Sequence, residues 1–128
     1  MSVPIYSALV AIAASPFSLT SEFYQQLFNQ SPKNFQPERY AEFHLPGICL
    51  ALFSPKPTQA QEFSAPAQSP ISLCLKLESL EAAIDEVKMI EQKLRLDCQM
   101  GEISHASHGR ELYLYDPQGN RIILYQPL

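Results

Sequence analysis

The stretch that decides the fold is Gly109-Arg110-Glu111-Leu112-Tyr113-Leu114-Tyr115-Asp116-Pro117-Gln118-Gly119-Asn120-Arg121-Ile122-Ile123-Leu124-Tyr125-Gln126-Pro127. Two alternating runs flank Asp-Pro-Gln-Gly-Asn, where Asp-Pro sets a turn and Gly119 supplies positive φ before the chain resumes. A loop from Asp116 to Asn120 predicts a hairpin that pairs Tyr115 with Arg121 and Tyr113 with Ile123. Successive strand residues point to opposite faces of a sheet. Leu112, Leu114, Ile122 and Leu124 therefore share an aliphatic face suited to packing on helices. The opposite face carries Glu111, Tyr113, Tyr115, Arg121, Ile123 and Tyr125, and is the candidate binding surface.

Upstream, Ile71 to Leu77 alternates in the same way, with Leu73, Leu75 and Leu77 on one face and Ser72, Cys74 and Lys76 on the other. Ser79 follows as an N-cap, opening a helix whose stripe is Leu80, Ile84, Val87, Ile90 and Leu94. Its charged outer face reads as solvated. Before that strand, Ser54 to Pro70 holds four prolines among Ser, Gln and Ala, which predicts a linker.

The first half has the same rhythm. A strand is predicted over Ser7 to Ala13 and a helix over Thr20 to Phe28, with Leu19, Phe23 and Leu27 on one face. Two strands, Arg39 to His44 and Ile48 to Phe53, are divided by Pro46-Gly47. An offset of 63 aligns Leu9 with Ser72, Val10 with Leu73 and Ile12 with Leu75. A βαβββ unit repeated twice is the simplest architecture. The expected fold class is α+β, a curved, mostly antiparallel sheet with helices on its outer face. Residues 1–54 form the first module, 55–70 the linker and 71–128 the second. Each half alone is too small for comfortable stability, so the two are expected to pack together.

Composition narrows the function. The 128 residues are 46% apolar, which excludes a wholly disordered chain. Nine basic residues against 13 acidic ones, with no local basic patch, argue against nucleic acid as a partner. Leu9 to Ala14 is apolar but has no preceding Lys or Arg, and no apolar run reaches the roughly 18–20 residues of a membrane span. Three cysteines without a C-x-x-C pair predict reduced thiols. A cytoplasmic protein with no membrane partner is expected.

The hairpin resembles the closing hairpin of the vicinal oxygen chelate superfamily, which includes glyoxalase I, extradiol dioxygenases and bleomycin-resistance proteins. In that family it commonly reads aromatic-x-Asp-Pro-x-Gly-Asn, then an apolar residue, Glu and Leu. Phe23-Tyr24 resembles the Phe-Tyr of the family's first helix, and Ile71 to Val87 the opening of its second module. The resemblance implies four metal-ligand positions, which here hold Leu9, Ala51, Ser72 and Ile123. Three have no donor atom, and a serine hydroxyl is a poor ligand for Zn, Ni or Fe. The resemblance therefore implies a member with no metal and no cofactor, closer to the bleomycin-resistance type, and usually a homodimer.

No catalytic residue is assigned. The candidate ligand-binding residues are Ser72, Cys74, Lys76, Tyr113, Tyr115, Arg121, Ile123 and Tyr125. The tyrosines suit stacking on an aromatic ligand, and Lys76, Arg110 and Arg121 suit an anionic group. Cys49 and Cys74 lack a sequence-adjacent histidine and read as small hydrophobes rather than nucleophiles. A displaced metal site from Glu42 and His44, or from His105 and His108, competes with plainer readings as a strand end and an exposed loop. Three functions follow: metal-free binding of a small aromatic or anionic molecule, a lyase or dioxygenase using a displaced site, or a protein-interaction module.

Overall fold

Each half of the chain folds as a strand, a helix and three further strands, and the computed structural model describes residues 2–64 and 68–128. The first half comprises β1 (Val10–Ala13), α1 (Phe17–Phe28), β2 (Lys33–Gln36), β3 (Tyr40–Leu45) and β4 (Ile48–Phe53). The second comprises β5 (Leu73–Lys76), α2 (Leu80–Leu94), β6 (Ser104–Ala106), β7 (Gly109–Tyr115) and β8 (Arg121–Pro127). Each forms a four-stranded mixed sheet, ordered β1-β4-β3-β2 and β5-β8-β7-β6. In both, the first strand runs parallel to the last and the remaining pairs are antiparallel.

The register repeats between halves. Ala11 pairs with Ala51 as Cys74 pairs with Ile123, so the offset of 63 holds for the first strands. The closing hairpin pairs Tyr113 with Ile123 and Tyr115 with Arg121, as its turn chemistry predicts. Pro46-Gly47 joins β3 to β4 as a two-residue turn with Gly47 at φ +85°, a conformation that favours glycine.

Some boundaries differ from expectation. β1 begins at Val10, not Ser7, and α1 begins at Phe17, where Pro16 takes the N-cap position and its carbonyl accepts from the Thr20 hydroxyl at 2.7 Å. Ser104 to Ala106, read as loop, is the edge strand β6, with His105 paired to Arg110. Exposed edge strands of three or four mostly polar residues carry no alternation to read. Within the linker the described residues form two 3₁₀ turns, Pro57–Gln59 and Gln61–Phe63. Phe63 packs edge-on against Phe53 with ring centroids 5.1 Å apart.

The dry faces meet in one core. Ala41, Phe43, Leu50 and Leu52 lie under Phe23 and Tyr24 of α1, and Leu112, Leu114, Ile122 and Leu124 lie under Leu80, Val87 and Ile90 of α2. The two helices touch, and all these side chains belong to one buried cluster. Tyr24 Oη donates to Asp116 Oδ2 at 2.7 Å across that junction. Asn120 Nδ2 also donates to the Ala13 carbonyl at 3.3 Å. Both helix-covered faces contribute to one shared core, and the polar face of each sheet, its outward face, lies on the side away from its helix.

Candidate functional site

The outward face of the second sheet brings together the residues expected to bind a ligand. Ser72, Cys74 and Lys76 lie beside Arg121, Ile123 and Tyr125 through the β5–β8 register, with Tyr113 and Tyr115 beyond on β7. The face is open: Cys74 and Lys76 are exposed, and Tyr113 is 43% exposed. Arg121 is its most constrained member. Its Nε donates to Ser72 Oγ at 2.5 Å, its Nη2 donates to the Ser69 carbonyl at 3.0 Å, and its Cζ lies 5.9 Å from the centre of the Tyr113 ring. The guanidinium is thereby held near an aromatic ring, an arrangement that suits planar anions. Tyr125 Oη donates to the His108 carbonyl at 2.8 Å.

Arg110, also a candidate for anion recognition, belongs elsewhere. It shares the parity of Leu112 and forks onto Glu81 of α2 at 2.6 and 2.9 Å, which holds the Glu81 carboxyl below its ordinary value.

Next to this face a cleft of about 380 Å³ runs along the seam between β1 and β5. Val10, Ile12, Tyr24, Leu50, Ile71 and Leu73 make it apolar, while Ser72, Asn120 and Arg121 provide its polar rim. Of the expected ligand-binding residues, Ser72 and Arg121 line it. The apolar lining escaped the sequence reading because it comes from two strand edges and a helix of separate modules. Phe63, read as linker, also reaches it.

The four positions the resemblance marks for metal do not fit one. Leu9, Ala51 and Ile123 offer no donor, and the Ser72 hydroxyl is taken by the Arg121 guanidinium, whose charge repels a cation. Burial first, then Glu42 for Cys49 and Glu111 for Cys74, push both thiols above their ordinary range. Cys98, buried against Glu91 and Asp97, is pushed up to about 12.

The outward face of the first sheet carries a different group. Glu42 and His44 on β3 lie beside Cys49 on β4, which pairs directly with His44. Their ligand-capable atoms all lie within 4.8 Å of one another, the grouping of this kind among the described residues. His105, His108 and Glu111 form no such group there. His108 instead lies against the Tyr125 ring, with centroids 5.5 Å apart.

No family model matches the sequence, and no curated protein is similar to it by sequence. Solved structures are similar in fold along the whole chain. A glyoxalase/bleomycin resistance protein from Catenulispora acidiphila superposes with a TM-score of 0.68 at 17% identity, covering 94% of this chain and 97% of that one. Lactoylglutathione lyase from Agrobacterium tumefaciens gives 0.62 at 22% identity, covering 97% and 96%. A bleomycin-binding protein complexed with bleomycin gives 0.60 at 20% identity, covering 97% and 100%. The chain therefore has the fold of these glyoxalase and bleomycin-resistance structures.

Proposed function

We propose that the chain binds a small aromatic or anionic organic molecule, and that it does so without metal at the family's ligand positions. The carrying observation is Arg121, which sits at the rim of an apolar cleft with its Cζ 5.9 Å from the centre of the Tyr113 ring. An aromatic ring stacks on the tyrosine face, an acid group meets the guanidinium, and apolar bulk enters the seam between β1 and β5. Ser72, Cys74, Lys76, Tyr115, Ile123 and Tyr125 form the surrounding surface. A fold alone does not determine activity, so the reading rests on these side chains.

The face is too open to desolvate a ligand by itself. A second copy of the chain covering it, in a cytoplasmic homodimer, supplies the missing wall. Two features support this: β1 and β5 are sheet edges with open backbone groups, and Leu9, Val10 and Ile71 beside them are exposed.

The test is calorimetric titration of tag-free protein with 1-naphthoate, a planar aromatic carboxylate. Saturable binding that survives chelator treatment and weakens in Tyr113→Ala supports the reading. Binding abolished by chelator, or unchanged by Tyr113→Ala, refutes it.

A further inference from the structure

Sheet geometry, not chance proximity, assembles the group on the first sheet. Glu42 and His44 are two apart on β3 and so project from one face, and Cys49 stands directly across from His44 on β4. Glu42 Oε1 is the hub: His44 Nε2 lies 3.0 Å from it, Cys49 Sγ 3.9 Å, and Asn34 Nδ2 donates to it at 3.0 Å. Glu42 Oε2 is anchored separately by the Tyr40 hydroxyl at 2.6 Å. The small Ala51 pairs with Glu42, and Ala11 lies beyond it, leaving the carboxylate unobstructed.

We propose that Glu42, His44 and Cys49 hold a divalent cation of the zinc class. One oxygen, one imidazole nitrogen and one thiolate sulfur form a donor set that selects borderline to soft ions over Mg²⁺ or Ca²⁺. Bonds of 2.0–2.3 Å to a tetrahedral ion place such donors about 3.3–3.6 Å apart. The Glu42–His44 separation of 3.0 Å and the Glu42–Cys49 separation of 3.9 Å bracket that range, and all three donor atoms lie within 4.8 Å of one another. On binding, the metal–sulfur bond replaces the S–H bond and the thiol proton passes to solvent. His44 binds as neutral imidazole through Nε2, and Tyr40 fixes the carboxylate from behind, as outer partners do at metal sites. Three protein donors leave a fourth position for water or a ligand atom. This site adjoins Ala51, which pairs with Glu42 and lies two residues from Cys49 on β4, but it is built from different residues and does not depend on the ligand reading of the second sheet.

The experiment uses the full chain, stripped with chelator and titrated with Co²⁺ as a coloured stand-in for Zn²⁺. A single equivalent producing thiolate-to-cobalt charge-transfer absorption, displaced by Zn²⁺, is expected. Cys49→Ala and Cys49→Ser abolish the band, while Cys74→Ala keeps it. Tyr40→Phe lowers affinity about 10- to 100-fold with the band retained. Absence of the band in the unsubstituted protein at saturating cobalt overturns the proposal, as does a band that survives Cys49→Ser or follows Cys74. Naphthoate titration of the same metal-stripped protein reports on the second sheet independently, so failure of one reading is distinguishable from failure of the other.

Discussion

Replacing Tyr24 with phenylalanine removes one oxygen from the centre of the molecule and leaves the ring. That ring is fully buried, stacked on Phe28 at 5.4 Å and edge-on to Phe23 at 5.1 Å, so packing is conserved. What is lost is the 2.7 Å donation to Asp116, whose carboxylate also accepts from Gly119 N, Asn120 N and Asn120 Nδ2. A hydrogen bond to a charged group contributes about 1.5–3 kcal/mol, and three surviving donors place this one near about 1.5–2 kcal/mol. For 128 residues, an unfolding entropy of about 2.1 cal/mol/K per residue converts each kcal/mol into roughly 3.7 °C. Calorimetry of Tyr24→Phe at neutral pH should therefore show Tm lowered by about 5–8 °C. Burial raises the Asp116 carboxyl above its ordinary value, and the Tyr24 hydroxyl opposes that rise. The penalty should thus shrink as pH falls through the Asp116 titration, where the protonated acid no longer needs the donor. A Tm within about 1 °C of the parent at neutral pH, or a penalty that grows in acid, refutes the assignment of Tyr24–Asp116 as a stabilising bond between the halves.

Because the folded-state value of Asp116 is raised, its contribution to stability is fully present below the unfolded value of about 3.9 and is lost as pH climbs through the folded value. Carbon-detected NMR titration of the Asp116 carboxyl should place its midpoint above that of an exposed aspartate. Leu52→Ala and Leu114→Ala, one in each half, should each cost about 2–5 kcal/mol. Both should preserve a single denaturant transition, and two separated transitions would contradict the shared core. Gly109→Ala should destabilise by more than about 1 kcal/mol by urea melt. Gly109 has φ +151°, and an added Cβ meets Pro127 Cα at 2.9 Å.

Where side-chain alternation and turn chemistry agree, the sequence was legible to the residue. The β7–β8 register and the Ser79 cap, whose hydroxyl accepts from Ala82 N at 3.1 Å, are both local decisions. β2 and β6 were not legible as strands, because an exposed edge of three or four residues has no face to bury. The candidate site divides the same way. The shared face of Tyr113, Arg121 and Ile123 follows from parity, and so does that of Glu42 and His44. The cleft does not, since Val10, Tyr24 and Leu73 meet only once the halves dock. Asp116 reads as an ordinary turn residue; its bond to a side chain 92 positions away is a tertiary fact.

The shared core has an energetic consequence for the two polar faces. Each belongs to its own sheet, and α1 and α2 touch in the shared core. The hydrogen-bond partners of Glu42, His44 and Cys49 are different from those of Arg121, so the free energies of substitutions in the two groups should add. The Glu42–His44–Cys49 group and the Arg121–Tyr113 group can therefore be altered one at a time. On the two proposals made above, a single polypeptide of this size would carry two chemistries that can be adjusted separately.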